Sequence, residues 1–161
     1  MNRFERVINS LSKWLNWVAG VALVLMLIVI VADIIGAKLF KSPMPGSVDI
    51  VGLLCVVVIA FAIAQTQVVH GHIEVEFFVM RLPGKARNVI AGIIYSLGML
   101  LFALLSWQSY DFGRMLQVSG EVSMTLGIPV YPFVYGIAFS CIVVFLVLLL
   151  QYLKEVLKIG K

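Results

Sequence analysis

The sequence predicts an all-α integral membrane protein. It has four transmembrane helices, an amphipathic helix before the first, a short interfacial segment between the second and third, and both termini on the cytoplasmic side. Three observations carry this. Charged residues make up only 12% of the 161 positions and hydrophobic ones 62%, whereas soluble domains carry about 25% charged residues. Four apolar runs, 17–37, 48–69, 89–110 and 133–152, each reach the roughly 20 residues a helix needs to cross a hydrocarbon core about 30 Å thick. With these runs alternating in direction, nine of the 12 Lys and Arg residues fall on one side, and the positive-inside rule makes that side cytoplasmic. Little chain is left over for a soluble core, so residues 1–161 read as a single four-helix unit.

Residues 1–16 place Phe4, Val7, Ile8, Leu11 and Leu15 on one helical face, with Arg3, Arg6 and Lys13 opposite. Such a helix is expected in the inner membrane interface, anchored by those cations and by Trp14 and Trp17. The run that follows, 17–37, sits behind basic residues as a signal peptide would. It exceeds the roughly 7–15 residues of a signal-peptide apolar core and lacks a small-x-small closing site, so it reads as a retained helix. Asp33 lies near its outer end, open to pairing with Lys38, Lys41 or a partner chain; an intramembrane carboxylate is a functional hypothesis by default.

The outer loop "KSPMPGSVDIVG" stops the first helix at Pro43, Pro45 and Gly46 and starts the second. Ser47 is placed to act as N-cap, with Asp49 in the first turn where the helix dipole favours a carboxylate. Local capping accounts for both residues, and a partner contact is the alternative. Near the inner end of the second helix, Gln65, Thr66 and Gln67 are able to hydrogen-bond to a neighbouring helix, each bond worth about 1 kcal/mol or less in a membrane. Cys55 and Cys141 sit mid-span without a CxxC spacing and read as packing residues.

The inner connection begins "HGHIEVEFF", residues 70–78, and continues into a basic turn with Arg81, Lys85 and Arg87. Zinc needs about three or four well-placed ligands, which His70, His72, Glu74 and Glu76 could supply only from a strained segment. Haem held by axial histidines would want them on different helices. A short interfacial helix or bent strand fits better, and no cofactor is expected.

The third span carries Gly92, Ser96 and Ala103 on one stripe and the fourth begins one with Gly136 and Ser140, the small residues that let membrane helices approach. Between them "MLQVSGEVSMTLGIPVYPF" is a long outer connection, with Pro129 and Pro132 expected to start the last helix. Trp107, Tyr110, Tyr131 and Tyr135 form an outer aromatic belt. Nucleophilic triads, phosphate-cradling loops and two-metal carboxylate clusters are absent from the sequence, and no span shows the mid-depth break at which carriers bind substrate. The net charge of +4 reflects basic inner segments suited to anionic lipid head groups, not to nucleic acid. The chain therefore reads as a non-enzymatic accessory subunit.

"PGSVDIVG", "HIEVEFFVMRLP" and "SMTLGIPVYPF", in this order on a four-helix layout with both ends inside, resemble the DctQ-like small membrane subunit of tripartite ATP-independent periplasmic (TRAP) transporters. The departures are Asp49, where the family often has Glu, and Tyr131, where Trp is frequent. The resemblance implies a bacterial inner-membrane protein that braces a large, elevator-type DctM-like subunit. It also implies sodium-coupled import of an organic anion, a C4-dicarboxylate or a sugar acid such as N-acetylneuraminate, delivered by a periplasmic binding protein that this subunit helps dock. Ser47, Asp49, His72, Arg81, Ser123 and Pro129 are the motif positions, with structural and partner-facing roles; Asp33, Gln65 and Gln67 join them as contact candidates. The alternative is a self-contained proton-coupled exporter working as a homodimer through Asp33.

Overall fold

The computed structural model describes residues 2–41, 44–69 and 84–159. Four helices account for nearly all of them: α1 (Asn2–Phe40), α2 (Ser47–Val68), α3 (Gly84–Ser119) and α4 (Tyr131–Ile159). All four are long and apolar enough to cross a membrane, and among the described residues no sheet forms. In hydrocarbon that is the economical solution, because a helix satisfies its backbone N–H and C=O groups within itself.

Helix ends differ from the sequence expectation, at α1 and α3 most of all, and α4 too runs past 152 to Ile159. No break separates residues 1–16 from the first span: α1 is one rod of 39 residues, about 58 Å long at 1.5 Å per residue. Asn16 and Trp17 are no helix breakers, so the helix propagates through them. Ile8, Ser12, Leu15, Ala19 and Ala22 make a buried stripe along the rod. Ile8 packs with Val147 and Leu150, and Leu15 with Ala64, Val143, Val144 and Leu148, so these residues of the face expected to lie in lipid are used against α2 and α4, while Val7 stays exposed. α3 also outruns its predicted end, continuing past Tyr110 to Ser119. Nothing in "DFGRMLQVS" except Gly113 opposes a helix, and Gly120 ends it with a left-handed φ of 68°.

α4 is the hub. It packs on α1, α2 and α3, while α3 touches α4 alone among the described helices. Half of the most apolar stretch of α4 is buried, against none of the corresponding stretch of α3. Small and polar groups mark where neighbours come close. The Ser140 hydroxyl donates to the Ala60 carbonyl on α2, and Ser106 Oγ donates to the Ala138 carbonyl at 3.2 Å. Gly113 on α3 lies under the Tyr135 ring so closely that a Cβ there would fall 2.8 Å from Tyr135 Cε1.

Gly113→Val should therefore push α3 off α4 and lower the melting temperature of the detergent-solubilised protein, at the roughly 1–3 kcal/mol typical of overpacking. Gly20→Ala, where an added Cβ meets nothing within 4 Å, should leave the melting temperature unchanged or higher.

Candidate functional site

The sequence candidates fall at two ends of the bundle. Asp33, Ser47, Asp49, Ser123 and Pro129 gather at the end that carries the α1–α2 and α3–α4 connections; Gln65 and Gln67 lie at the far end of α2. His72 and Arg81 lie outside the described residues. Of the anchor residues, Arg6, Lys13, Trp14, Trp17, Trp107 and Tyr110 are exposed and Tyr131 is half-buried; the Arg3 side chain lies outside the description.

At the loop end the local chemistry differs from simple capping. Ser47 is not the N-cap. Gly46 takes that position in a left-handed conformation, φ 83°, with no side-chain cap hydrogen bond, and Ser47 is a buried residue of the first turn. Glycine is required twice over, since a side chain at φ 83° is strained and a Cβ would collide with Leu126 at 2.4 Å. Asp49 is thereby released from its own helix terminus. Its Oδ2 accepts from the Ser123 hydroxyl and from the Thr125 backbone N–H at 2.9 Å. Leu126 seated on Gly46 completes a latch between the start of α2 and the α3–α4 loop.

The loop is shaped to present these donors. Val122 and Pro129 form an isolated antiparallel bridge, Ser123 N–H donates to Ile128 C=O at 2.9 Å and Gly127 N–H to Ser123 C=O at 3.0 Å. Gly127, at φ 66°, lets the chain turn back. Pro129 thus serves in the bridge and does not start the last helix, which begins at Tyr131; Pro132 occupies the first turn, where its missing N–H costs nothing. Beside the latch, Asp33 Oδ1 accepts from Met44 N–H at 2.7 Å. Among the described residues it braces the α1–α2 loop and forms no ion pair with Lys38 or Lys41. Tyr135 joins the same end to α3, its hydroxyl donating to Gln117 Oε1 at 3.0 Å and its ring meeting Tyr110 at a tilt and Tyr131 edge-on, at centroid separations of 5.8 and 6.1 Å.

At the far end of α2, Gln67 meets Gln151 of α4 in both directions: Gln67 Nε2 donates to Gln151 Oε1 at 3.1 Å, and Gln151 Nε2 to Gln67 C=O at 3.0 Å. The helix–helix bond expected of Gln67 is present. Gln65 Oε1 is buried and meets no hydrogen-bond partner among the described residues. Sequence reasoning named Gly46 as a breaker and not as the cap, and it missed Thr125, Leu126, Gln117 and Gln151. The only available signal was an isolated carboxylate at 49 and a hydroxyl-rich "SMT" at 123–125. Among the described residues no group of three His, Cys, Asp or Glu could hold a metal ion.

What this arrangement does chemically is hold a shape. The loop end offers an ordered surface on which Val48, Val118 and Met124 project into solvent, fixed by the latch beneath. The family model described as the DctQ component of tripartite ATP-independent periplasmic transporters matches residues 26–158. No curated protein and no solved structure matches the chain significantly.

Asp49→Ala should free the 120–130 loop, read as faster hydrogen exchange of the Thr125 amide, on the order of tenfold for a local opening of this kind, with the helices unchanged by circular dichroism. Gly46→Ala should do the same and also cost about 1–2 kcal/mol for its left-handed backbone. An unaltered Thr125 exchange rate in both variants would show that the latch does not hold the loop.

Proposed function

The chain belongs to the DctQ family of tripartite ATP-independent periplasmic transporter components, and on that premise we propose that it is the non-catalytic scaffold subunit of a sodium-coupled importer of an organic anion. The observation that carries this is the family match over residues 26–158, which takes in both loop motifs that meet at Asp49. In this reading the transported anion, a C4-dicarboxylate or a sugar acid, never touches the chain. A large DctM-like subunit moves it, and this chain is the fixed frame against which that subunit moves.

Several features support the frame role. α1 and α3 leave long apolar faces uncovered, with Leu27, Ile28, Leu97 and Leu101 exposed, room enough for lipid and for a larger membrane partner. Exposed Trp14 and Trp17 beside Arg6 and Lys13 suit one membrane interface, and Trp107 and Tyr110 the other. We place both termini and the His72–Arg81 connection in the cytoplasm of a bacterial inner membrane, following the distribution of Lys and Arg. The loop end then faces the periplasm, and its ordered apolar projections are the surface we assign to the periplasmic binding protein. A homodimeric exporter working through Asp33 draws no support from the geometry, because that carboxylate is engaged by Met44 N–H at the loop end.

Proteoliposomes containing the large subunit and the binding protein should take up substrate only when this chain is present; full uptake without it would overturn the scaffold role. Asp49→Ala should lower the maximal uptake rate and leave the KM for free substrate in the binding-protein-loaded system unchanged, because the residue shapes a docking surface and contacts no substrate.

A further inference from the structure

A groove on the α3–α4 pair lies outside the latch. Alongside the close contact of Ser106 with Ala138, the loop-end halves of α3 and α4 leave an open groove of about 590 Å³ on one side, within the roughly 300–1,000 Å³ usual for small-molecule sites. It exists because the facing residues are small: Ala103 and Ala138 line it where larger side chains would close the gap, and Phe145 bounds its deep end. Its chemistry changes along its length. The deep end is apolar; one turn on come Trp107 and Tyr110, and the mouth carries Asp111 and Arg114. From Ala103 to Arg114 the groove follows α3 for about 16 Å, about half the thickness of a hydrocarbon core.

Asp111 and Arg114 are both exposed, and among the described residues neither carries a hydrogen bond or an ion pair. They stand three positions apart on one helix face, where side chains are neighbours, so the mouth offers one negative and one positive group side by side. An anionic headgroup would meet Arg114 but be opposed by Asp111. A headgroup carrying both a phosphate and a primary amine answers both charges: the phosphate accepts charge-assisted hydrogen bonds from the guanidinium, and the ammonium faces the carboxylate with the Trp107 and Tyr110 rings close by as further cation partners. A membrane component that joins such a headgroup to an apolar chain, in the order the groove presents, is a phospholipid.

We propose that the α3–α4 groove is a binding site for one zwitterionic, amine-bearing phospholipid of the leaflet at the loop end, with an acyl chain over Ala103 and Ala138, the phosphate on Arg114 and the ammonium beside Asp111. The bound lipid fills the groove that α3 leaves beside α4, its only neighbour among the described helices.

Native mass spectrometry of the full chain, released from mild detergent after titration with phosphatidylethanolamine or phosphatidylglycerol of identical acyl chains, tests this. The wild type should retain one phosphatidylethanolamine per chain at collision energies that strip phosphatidylglycerol. Arg114→Gln and Ala103→Phe should each weaken retention about tenfold, Asp111→Asn should erase the headgroup preference, and Leu104→Phe, on another side of α3, should change nothing. Ala103 is exposed, so filling the groove from that position leaves the packed core intact. Equal retention of the two lipids by the wild type, or retention unaffected by Ala103→Phe and Arg114→Gln, overturns the site. So does loss of the lipid when the large subunit is bound, which would make the groove a protein interface.

Discussion

Helices in a bilayer gain little by hiding apolar surface from one another, since lipid tails are as apolar as leucine. Association must come from close packing and from hydrogen bonds between helices. Here that requirement falls on α4. It carries the Ser140 bond to the Ala60 carbonyl, the Ala138 carbonyl that receives Ser106, and the Tyr135 ring that Gly113 admits. α3 has no other neighbour among the described helices, and the α1–α2 pair reaches α3 only through α4. If α4 were replaced by a uniformly leucine-rich span, hydropathy would be preserved and the bundle would lose its reasons to assemble.

The latch adds a second level of order. Helix contacts along α4 set which faces meet, but they leave the two loops free to take any path across the end of the bundle. Asp49 removes that freedom by accepting from a side chain and a backbone amide of a segment more than 70 residues away, and Leu126 on Gly46 seals the contact from the apolar side. Both loop motifs, which lie within the stretch that the DctQ family model matches, therefore serve one junction. Their separation in sequence hides that they are halves of a single feature.

How much of this was legible follows from which forces act locally. The four spans were, because hydrocarbon thickness and backbone satisfaction impose long apolar runs that a sequence shows directly. The ends of α1 and α3 were not: residues 16–17 and 111–119 contain no strong breaker, so α1 runs through the first and α3 runs on to Gly120, and a change from apolar to mixed composition does not end a helix. Ser47 looked like a cap because serine before an apolar run commonly is one. The left-handed Gly46, held under Leu126, took that position, and the preference for Leu126 there comes from the other loop. Gln67 was legible as a polar group needing a partner, and its partner Gln151, 84 residues on, was not. The Asp49 contact is of the same kind, a long-range pairing of individually ordinary residues.

Two ties of α2 to its surroundings, Asp49 at one end and Gln67 at the other, fix more than position. Both partners belong to the α3–α4 half of the chain, so α2 spans a set distance between two anchorages. Inserting or deleting one residue between 49 and 67 turns everything beyond it by about 100°, which would carry one of the two side chains away from its partner whatever the composition of the insert. Substitutions along α2 that keep its apolar faces should be absorbed far more readily than any change in its length. The helix works as a gauge block for the protein: its sequence is adjustable, its count of residues is not.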